Sequence, residues 1–353
     1  MNSVLKEDIN EIIHLSYLNW GIFKNKTFLI SGGTGFLGSL LVKSLLHAND
    51  VLNTNITIFV IIRNQSKYAS VFKEFLNRDD LRPIICDFEI DDVSINESID
   101  YIIHTASITT SKIIIEKPVD VIMTSLNGTK KLLDLARKNK GCKFLYLSSM
   151  EMYGNVNRDG WVSERDLGYI DLDNIRNVYP ESKRLCEMLC KSYKQQYSVK
   201  VYVARLAQTF GAGVSKSDNR IFAQFARSVI NKSNIVLHTE GKSEGNYVYS
   251  VDAVGALFLL LQKGLNGESY NVVNEKNHMT IYEMAQLVAT EVSPTPLKVI
   301  IDIPSSQQTL GYAPDVRLKL SSKKLEKLGW KIGYNLTDSY QRLITSYMCQ
   351  NNR

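Results

Sequence analysis

The stretch Ser31-Gly-Gly-Thr-Gly-Phe-Leu-Gly38 decides the fold, because it joins a short apolar run to a predicted amphipathic helix, Phe36–Leu46. Gly32, Gly35 and Gly38 have the spacing of a dinucleotide-binding turn. Glycines there permit a tight turn, close approach of the backbone to a pyrophosphate, and close packing of helix on strand. The amide groups at the start of such a helix bind phosphate charge. An ordinary strand-to-helix turn can have the same glycine spacing, so further motifs in the chain are needed to identify a dinucleotide-binding site.

Apolar runs of strand length alternate with helical patterns along the N-terminal part of the chain. This alternation is typical of a parallel sheet that helices cover on both faces. Because consecutive parallel strands need right-handed crossovers, we predict an α/β fold with a doubly wound parallel sheet and a ligand at the carboxyl ends of its strands. The predicted strands are Thr27–Ile30, Ile56–Ile62, Arg82–Cys86, Tyr101–Thr105, Lys143–Ser148 and Val199–Leu206.

Beyond Gly211 the alternation becomes irregular, with a helix predicted near Ile221–Asn231 and shorter elements after it. This part is predicted to form a smaller substrate lobe, interleaved with the dinucleotide-binding domain. Apolar residues at helical spacing from Ile9 to Leu18 predict an N-terminal extension that packs on the core. The predicted boundaries are 1–24 for the helical extension, 25–210 with a return segment near 246–270 for the dinucleotide-binding domain, and 211–245 with 271–353 for the substrate lobe.

The composition, 44% hydrophobic and 22% charged over 353 residues, indicates a globular protein with a large core. The longest apolar run, Ala253–Leu261, is far shorter than the roughly 20 residues that span a bilayer, and the charged N-terminus is unlike a secretion signal. We therefore expect a cytoplasmic protein without membrane contact. Five cysteines without metal-ligand clustering predict reduced thiols and no metal site. A net charge of +6 from scattered lysines gives no support to nucleic-acid binding.

The segment Tyr179-Pro-Glu-Ser-Lys183 places a phenol and an ammonium on one face of a predicted helix, about one turn apart. A neighbouring cation favours the phenolate, so we expect Lys183 to lower the pKa of Tyr179 and to bind a ribose hydroxyl. A second segment, Ser148-Ser-Met-Glu-Met-Tyr-Gly154, follows an apolar strand that is predicted to end at the same edge of the sheet.

Together these motifs resemble the extended short-chain dehydrogenase/reductase family, in particular its NAD(P)-dependent nucleotide-sugar epimerases, dehydratases and decarboxylases. The resemblance covers roughly residues 26–345 and includes His104-Thr-Ala-Ser107 and Leu328-Gly-Trp330. It implies a Rossmann-like fold, tightly bound NADP or NAD, and a nucleotide-sugar substrate. By analogy it also implies a homodimer, formed through the helices predicted over Asp120–Lys138 and Tyr179–Tyr197.

The same resemblance implies a role for each matching residue. Ser149 would bind a substrate hydroxyl, Tyr179 would take its proton, and Lys183 would hold the nicotinamide ribose. The pattern Ser149-x-Glu151-x-Tyr153-Gly154 resembles that of both 4,6-dehydratases and UDP-glucuronate decarboxylases, whereas simple 4-epimerases usually lack the acid. By this resemblance Glu151 would abstract a proton beside the oxidised carbon, the alternative being a solvated loop residue. The residues expected to bind the cofactor are Gly32, Thr34, Gly35, Phe36, Leu37, Gly38, Arg63, Asp87, Phe88, Thr105, Ala106, Ser107, Tyr179 and Lys183.

Several positions depart from the family pattern. Gly245 stands where an arginine normally clamps the diphosphate, Ser125 replaces an asparagine, and Met150 stands where dTDP-glucose dehydratases have an aspartate. Gln208 replaces an asparagine and is expected to bind the substrate differently. Arg220 resembles an arginine of the decarboxylases and is predicted to bind the substrate phosphates, the alternative being an exposed arginine at the domain junction.

The choice of cofactor depends on Arg63, which follows the second predicted strand where NAD enzymes carry an acidic residue for the ribose 2′-hydroxyl. An arginine suits a 2′-phosphate, so NADP is favoured. A loop predicted over Ala48–Asn55 lengthens this crossover, so the sequence alone does not fix the position of Arg63 relative to the acidic residue of NAD enzymes. NAD is therefore the alternative cofactor.

The motifs predict an enzyme that transiently oxidises C4 of a nucleotide-activated sugar, with a 4,6-dehydratase as the first expectation. UDP-glucuronate decarboxylation, 4-epimerisation and reduction by external NADPH are the alternatives. A non-catalytic NADP-binding sensor is a more distant one, because such sensors usually lose the tyrosine or the lysine.

Overall fold

The structure, a computed structural model, describes residues 1–303 and 316–349. Its strands are β1 (Thr27–Ser31), β2 (Thr57–Ile62), β3 (Leu81–Ile85), β4 (Tyr101–His104), β5 (Lys143–Ser149), β6 (Lys200–Leu206), β7 (Gln208–Phe210), β8 (Ile235–Leu237), β9 (Glu244–Tyr249), β10 (Ser269–Val272), β11 (His278–Thr280) and β12 (Val299–Ile301). Its α-helices are α1 (Ser3–His14), α2 (Phe36–Leu52), α3 (Gln65–Val71), α4 (Ser111–Glu116), α5 (Pro118–Lys138), α6 (Val178–Tyr197), α7 (Ile221–Asn231), α8 (Ser250–Lys263), α9 (Ile281–Leu287), α10 (Lys323–Glu326) and α11 (Leu336–Cys349).

Seven parallel strands form the central sheet, in the order β10-β6-β5-β4-β1-β2-β3. The strand order reverses direction at β1, which pairs with β2 on one side and β4 on the other. In open sheets of this kind, ligands bind in the crevice outside the carboxyl ends of the strands at such a reversal. The predicted doubly wound, Rossmann-like sheet is confirmed.

Side chains alternate between the two faces of this sheet and build two separate cores. On β5, Leu145 and Leu147 pack into the core that contains α1, α2 and α8. Phe144 and Tyr146, which point the other way, pack into the core that contains α5 and α6. Strands buried on both faces explain why the sequence shows continuous apolar runs rather than alternation.

A smaller group of elements lies beyond β6. Strands β7, β9 and β11 form a three-stranded sheet, and β8 pairs with β12. These strands and helices α7, α9 and α11 share a third core around Phe210, Phe222 and Tyr340. Helix α8 and strand β10 then return to the central sheet, where β10 forms the edge beside β6. The predicted division into two lobes stays a prediction.

Helices α1 and α2, in the N-terminal half, test two of the sequence-based predictions. Helix α1 buries Val4, Ile9 and Ile12 against the core, as the predicted extension should. The loop predicted over Ala48–Asn55 is wrong, because α2 continues to Leu52 before Asn53 turns the chain in a left-handed conformation. Within the described residues, the longest apolar helices fall short of what crossing a bilayer requires.

Candidate active site

The glycine turn lies between β1 and α2, at the carboxyl edge of the central sheet. Gly32 has a φ of +70°, and a side chain there would lie 2.7 Å from the amide nitrogen of Ala106. A side chain at Gly38 would lie 2.3 Å from the carbonyl oxygen of Gly32. Only glycine fits either position, so the turn brings β1, α2 and the end of β4 together.

The adjoining strand ends complete this part of the site. The Thr105 hydroxyl donates to the carbonyl oxygen of Ser31 at 2.7 Å, which fixes the segment that follows β4. After β3, Asp87 is half-buried, and Phe88 is buried against Gly128 of α5. These residues lie where the resemblance expects the cofactor.

One cavity of about 580 Å³ lies at this edge of the sheet. It collects side chains from six strand ends as well as from α2 and α6. Every predicted catalytic, cofactor-binding and substrate-binding residue lines it: Gly32, Thr34, Gly35, Phe36, Leu37, Gly38, Arg63, Asp87, Phe88, Thr105, Ala106, Ser107, Ser149, Glu151, Tyr179, Lys183, Gln208 and Arg220. Their roles remain proposals, but their convergence on one cavity is a property of the fold.

Ser149 and Glu151 lie where β5 ends in a short 3₁₀ turn, Met150–Tyr153. The Ser149 hydroxyl accepts a hydrogen bond from the Glu151 amide at 3.2 Å, which starts the turn. The Glu151 carboxylate accepts a hydrogen bond from Arg176 Nη1 at 2.9 Å, and both side chains are about one quarter to one third exposed. Glu151 is therefore held at the cavity wall by an ion pair rather than being free in solvent.

Tyr179 lies in the first turn of α6 and is only 7% exposed. Burial raises the pKa of its phenol well above the ordinary value, and the negative charge of Glu151 adds to the rise. The hydroxyls of Ser149 and Ser107 and the charge of Arg176 act in the opposite direction. In this environment the neutral phenol is strongly favoured.

The expected lowering of the Tyr179 pKa by Lys183 is wrong for this structure. Lys183 is buried, its Nζ donates to the carbonyl oxygen of Leu147 at 2.9 Å, and it lies 5.7 Å from the centre of the Tyr179 ring. Burial lowers the pKa of Lys183 itself to about 8. Desolvation penalises the charged forms of both groups, and it is the largest cause of both pKa shifts.

The two predicted substrate-binding residues belong to the part of the cavity wall that follows β6 in the chain. Gln208 begins β7, whereas Arg220 precedes α7 and donates from Nη2 to Asp218 at 2.7 Å. The Arg220 side chain is 47% exposed, and the residue lines the cavity while it pairs with Asp218. Gly245 itself carries no charge, and among the described residues only the end of the Met150 side chain lies within 4.0 Å of where a side chain there would begin.

Arg176, Lys67 and Ser148 are among the polar residues of the cavity wall that the sequence analysis missed. Arg176 could have been found, because it lies three residues before Tyr179 at the approach to the same helix. Lys67 lies one turn after Arg63, beyond the end of β2. Nothing in the sequence distinguished Ser148 from the neighbouring Ser149.

The cavity fits a dinucleotide cofactor. Gly35 begins α2 without a side-chain cap, so the first amides of the helix are free to bind phosphate. Among the residues that the structure describes, the buried hydroxyl of Ser148 has no hydrogen-bond partner, although it lines the cavity. Gly32 to Gly38 would hold the pyrophosphate, and Lys183 the nicotinamide ribose. A bound nicotinamide supplies the hydride acceptor and, when oxidised, a positive charge that favours tyrosinate.

Comparison with known proteins agrees with this geometry. A sequence model described as "NAD dependent epimerase/dehydratase family" matches residues 28–273. The chain belongs to this family. UDP-glucuronic acid decarboxylase 1 from Danio rerio is 26% identical over 313 residues, which cover 83% of this chain and 70% of the relative. Across four curated relatives, all UDP-glucuronic acid decarboxylases, the alignment spans 66% to 70% of the relative's length.

Solved structures show the same fold at lower identity. A dTDP-glucose 4,6-dehydratase from Bacillus anthracis in complex with NAD superposes with a TM-score of 0.74 at 18% identity, over 93% of this chain and 98% of the other. A UDP-glucose 4-epimerase from Thermotoga maritima with UDP-glucose gives a TM-score of 0.75 at 19% identity, over 92% and 99%. The first of these two neighbours was solved with NAD and the second with UDP-glucose.

Proposed function

We propose that this protein is a nucleotide-sugar 4,6-dehydratase that retains its nicotinamide cofactor. Ser149 binds the C4 hydroxyl of the sugar, Tyr179 takes its proton, and the C4 hydrogen leaves as hydride. The resulting ketone acidifies the C5 hydrogen, which Glu151 removes while the C6 hydroxyl is lost. Hydride then returns to C6 and a proton to C5, so water is the only net loss.

The observation that supports this proposal is the position of the Glu151 carboxylate. It lies in the same turn as Ser149, and its charge acts on the phenol of Tyr179. A base is needed at this point for elimination, because a carbon–hydrogen bond must break beside the ketone. Epimerisation at C4 and decarboxylation need no base there.

Decarboxylation is the second candidate, favoured by the names of the curated relatives. A uronate substrate brings a carboxylate that needs a cation beside it. Arg176 is already paired with Glu151, and Gly245 contributes no charge, so a second carboxylate would compete for the same guanidinium. Dehydration therefore ranks first on the contacts of the cavity.

The test is mass spectrometry of products from UDP-, dTDP-, GDP- and CDP-sugars, with UDP-glucuronate among them and no added cofactor. Loss of water supports the proposal. Loss of carbon dioxide would identify a decarboxylase, and an epimer of unchanged mass would identify an epimerase. A reaction that proceeds only when stoichiometric reduced cofactor is added would identify a reductase. Glu151→Gln should abolish water loss yet still oxidise C4, whereas Glu181→Gln, on the same helix as Tyr179 but outside the cavity wall, is the matched control.

We propose NADP as the preferred cofactor because Arg63 and Lys67 present two cations at the end of β2, where both line the cavity. A ribose 2′-phosphate would bind to such a pair. NAD remains the alternative, since a family member was solved with it. All five cysteines are free thiols, and a reducing compartment such as the cytoplasm is the proposed location.

We also propose a homodimer through α5 and α6, which pack against each other on one side of the sheet. Apolar side chains on their outer surfaces are exposed in the single chain. Val119, Ile122 and Met123 lie on α5, and Leu185 and Met188 lie on α6. A second copy of the chain packed on this surface would bury these side chains, which is favourable because it removes apolar surface from water.

A further inference from the structure

A buried ion pair joins the first and last helices of the described chain. Asp8 of α1 has no exposed surface, and its carboxylate accepts a hydrogen bond from Arg342 Nε of α11 at 2.9 Å. The same carboxylate accepts a hydrogen bond from the hydroxyl of Tyr249 at 2.7 Å. A buried carboxylate is costly unless it is paired in this way, so these three residues form a unit, which we name the terminal clasp.

The terminal clasp is supported by the segment that leads into α11. The Tyr334 hydroxyl donates to the carboxylate of Glu11, and the Tyr334 ring lies 4.4 Å from that of Tyr249. Asp252 of α8 accepts hydrogen bonds from the amides of Gly333 and Tyr334 at 2.9 and 3.2 Å. Helices α1 and α11 lie outside the residues 28–273 that the family model matches, whereas Tyr249 lies within them.

Two packing relationships connect the terminal clasp to the cavity. Helix α1 packs against α2, the helix that follows the glycine turn, and Leu5 and Leu41 lie in the same core. Tyr249 ends β9, where it pairs with Phe210 of β7, the strand that begins with Gln208 of the cavity wall. Helix α1 thus contacts the helix of the glycine turn, and its partner Tyr249 lies two residues along the paired strands from Gln208.

We propose that Asp8 is a positioning residue: with Arg342 and Tyr249 as its partners, it fixes α1 against α2 and so holds the glycine turn in the arrangement that binds the dinucleotide. This inference rests on cofactor binding and not on which sugar reaction follows. If the clasp favours the binding-competent arrangement, a bound cofactor must favour the clasp by the same factor. The N-terminal helix then reports on occupancy of a cavity that it does not line.

The first experiment compares Asp8→Asn with Glu7→Gln, since Glu7 is an exposed neighbour that also contacts Arg342, at 3.3 Å. The dissociation constants of NADH and NADPH are measured by fluorescence titration, with thermal unfolding beside them. Asp8→Asn should weaken binding about fivefold or more, and Glu7→Gln should not. A lower melting temperature with an unchanged dissociation constant would make the clasp purely structural and overturn the proposal.

The second experiment needs no variant. Hydrogen exchange of the α1 amides in the full chain is followed with and without saturating cofactor, and it should slow when cofactor binds. If the wild type binds cofactor but α1 exchanges at an unchanged rate, the inference fails and the proposed function stands. If the wild type binds neither NAD(H) nor NADP(H), both fail.

Discussion

Arg176 holds Glu151 at the wall of the cavity, with its Nη1 2.9 Å from a carboxylate oxygen and both side chains partly buried. Arg176 comes from the approach to α6, and Glu151 from the turn after β5. The ion pair therefore spans the two elements that carry Tyr179 and Ser149. A proposed base is oriented here by a cation that also acts on the phenol.

Replacing Arg176 by glutamine should lower kcat about 10- to 100-fold, because a catalytic carboxylate displaced by about 1 Å loses that much. Steady-state kinetics on the active nucleotide sugar measures the effect. Arg158→Gln is the matched control, since Arg158 pairs with Asp166 outside the cavity wall. An unchanged kcat for Arg176→Gln would mean that Glu151 is oriented by other contacts.

The pH dependence of kcat/KM should report Lys183, whose pKa burial lowers to about 8. Below that pH the amine is mostly protonated and able to bind a ribose hydroxyl, and above it the charge is lost. We therefore expect kcat/KM and cofactor affinity to fall together as the pH rises through about 8. A rate that keeps rising at alkaline pH would show that ionisation of the tyrosine controls the reaction instead.

Arg63→Ser should weaken NADPH binding about 10- to 100-fold while leaving NADH binding nearly unchanged, because only the 2′-phosphate loses a charge-assisted hydrogen bond. Fluorescence titration with both cofactors gives the ratio. Arg165→Ser, an exposed arginine outside the cavity wall, controls for the loss of a positive charge. Equal weakening of both cofactors would argue against recognition of the 2′-phosphate.

Met188→Glu should convert the proposed homodimer to monomers, because Met188 is 63% exposed on α6 and a second copy would have to bury the new charge. Sedimentation velocity measures the mass. Leu265→Glu is the control, since Leu265 is equally exposed at 62% but lies between α8 and β10. Dimers that persist in Met188→Glu would place the interface elsewhere.

The parts of the fold that could be predicted are those that depend on local patterns in the sequence. The glycine turn, the six apolar strands and α6 were expected within a residue or two, because burial on both faces and the Gly32 conformation leave clear marks in sequence. The seventh strand, β10, has only four residues and is specified by its pairing with β6. The end of α2 was also missed, since Asn53 rather than glycine ends the helix.

The sequence predicted which residues line the candidate site, but it did not predict how burial shifts their pKa values. Residue spacing placed Tyr179 near Lys183, yet only the fold shows Lys183 bound to the Leu147 carbonyl and shielded from solvent. Desolvation depends on everything that packs around a group, and no local motif records it. For the same reason the pairing of Asp8 with Arg342, 334 positions apart, had no signal in the sequence.

The central claim is that Tyr179 accepts the proton of a sugar hydroxyl while hydride passes to a nicotinamide. Single-turnover absorbance of reduced nicotinamide, recorded after mixing cofactor-loaded enzyme with its nucleotide sugar, tests this most directly. The wild type should show a transient rise, and Tyr179→Phe should slow it about 100-fold or more, whereas Tyr169→Phe, an exposed tyrosine outside the cavity wall, should behave as the wild type does. An undiminished transient in Tyr179→Phe would contradict the account.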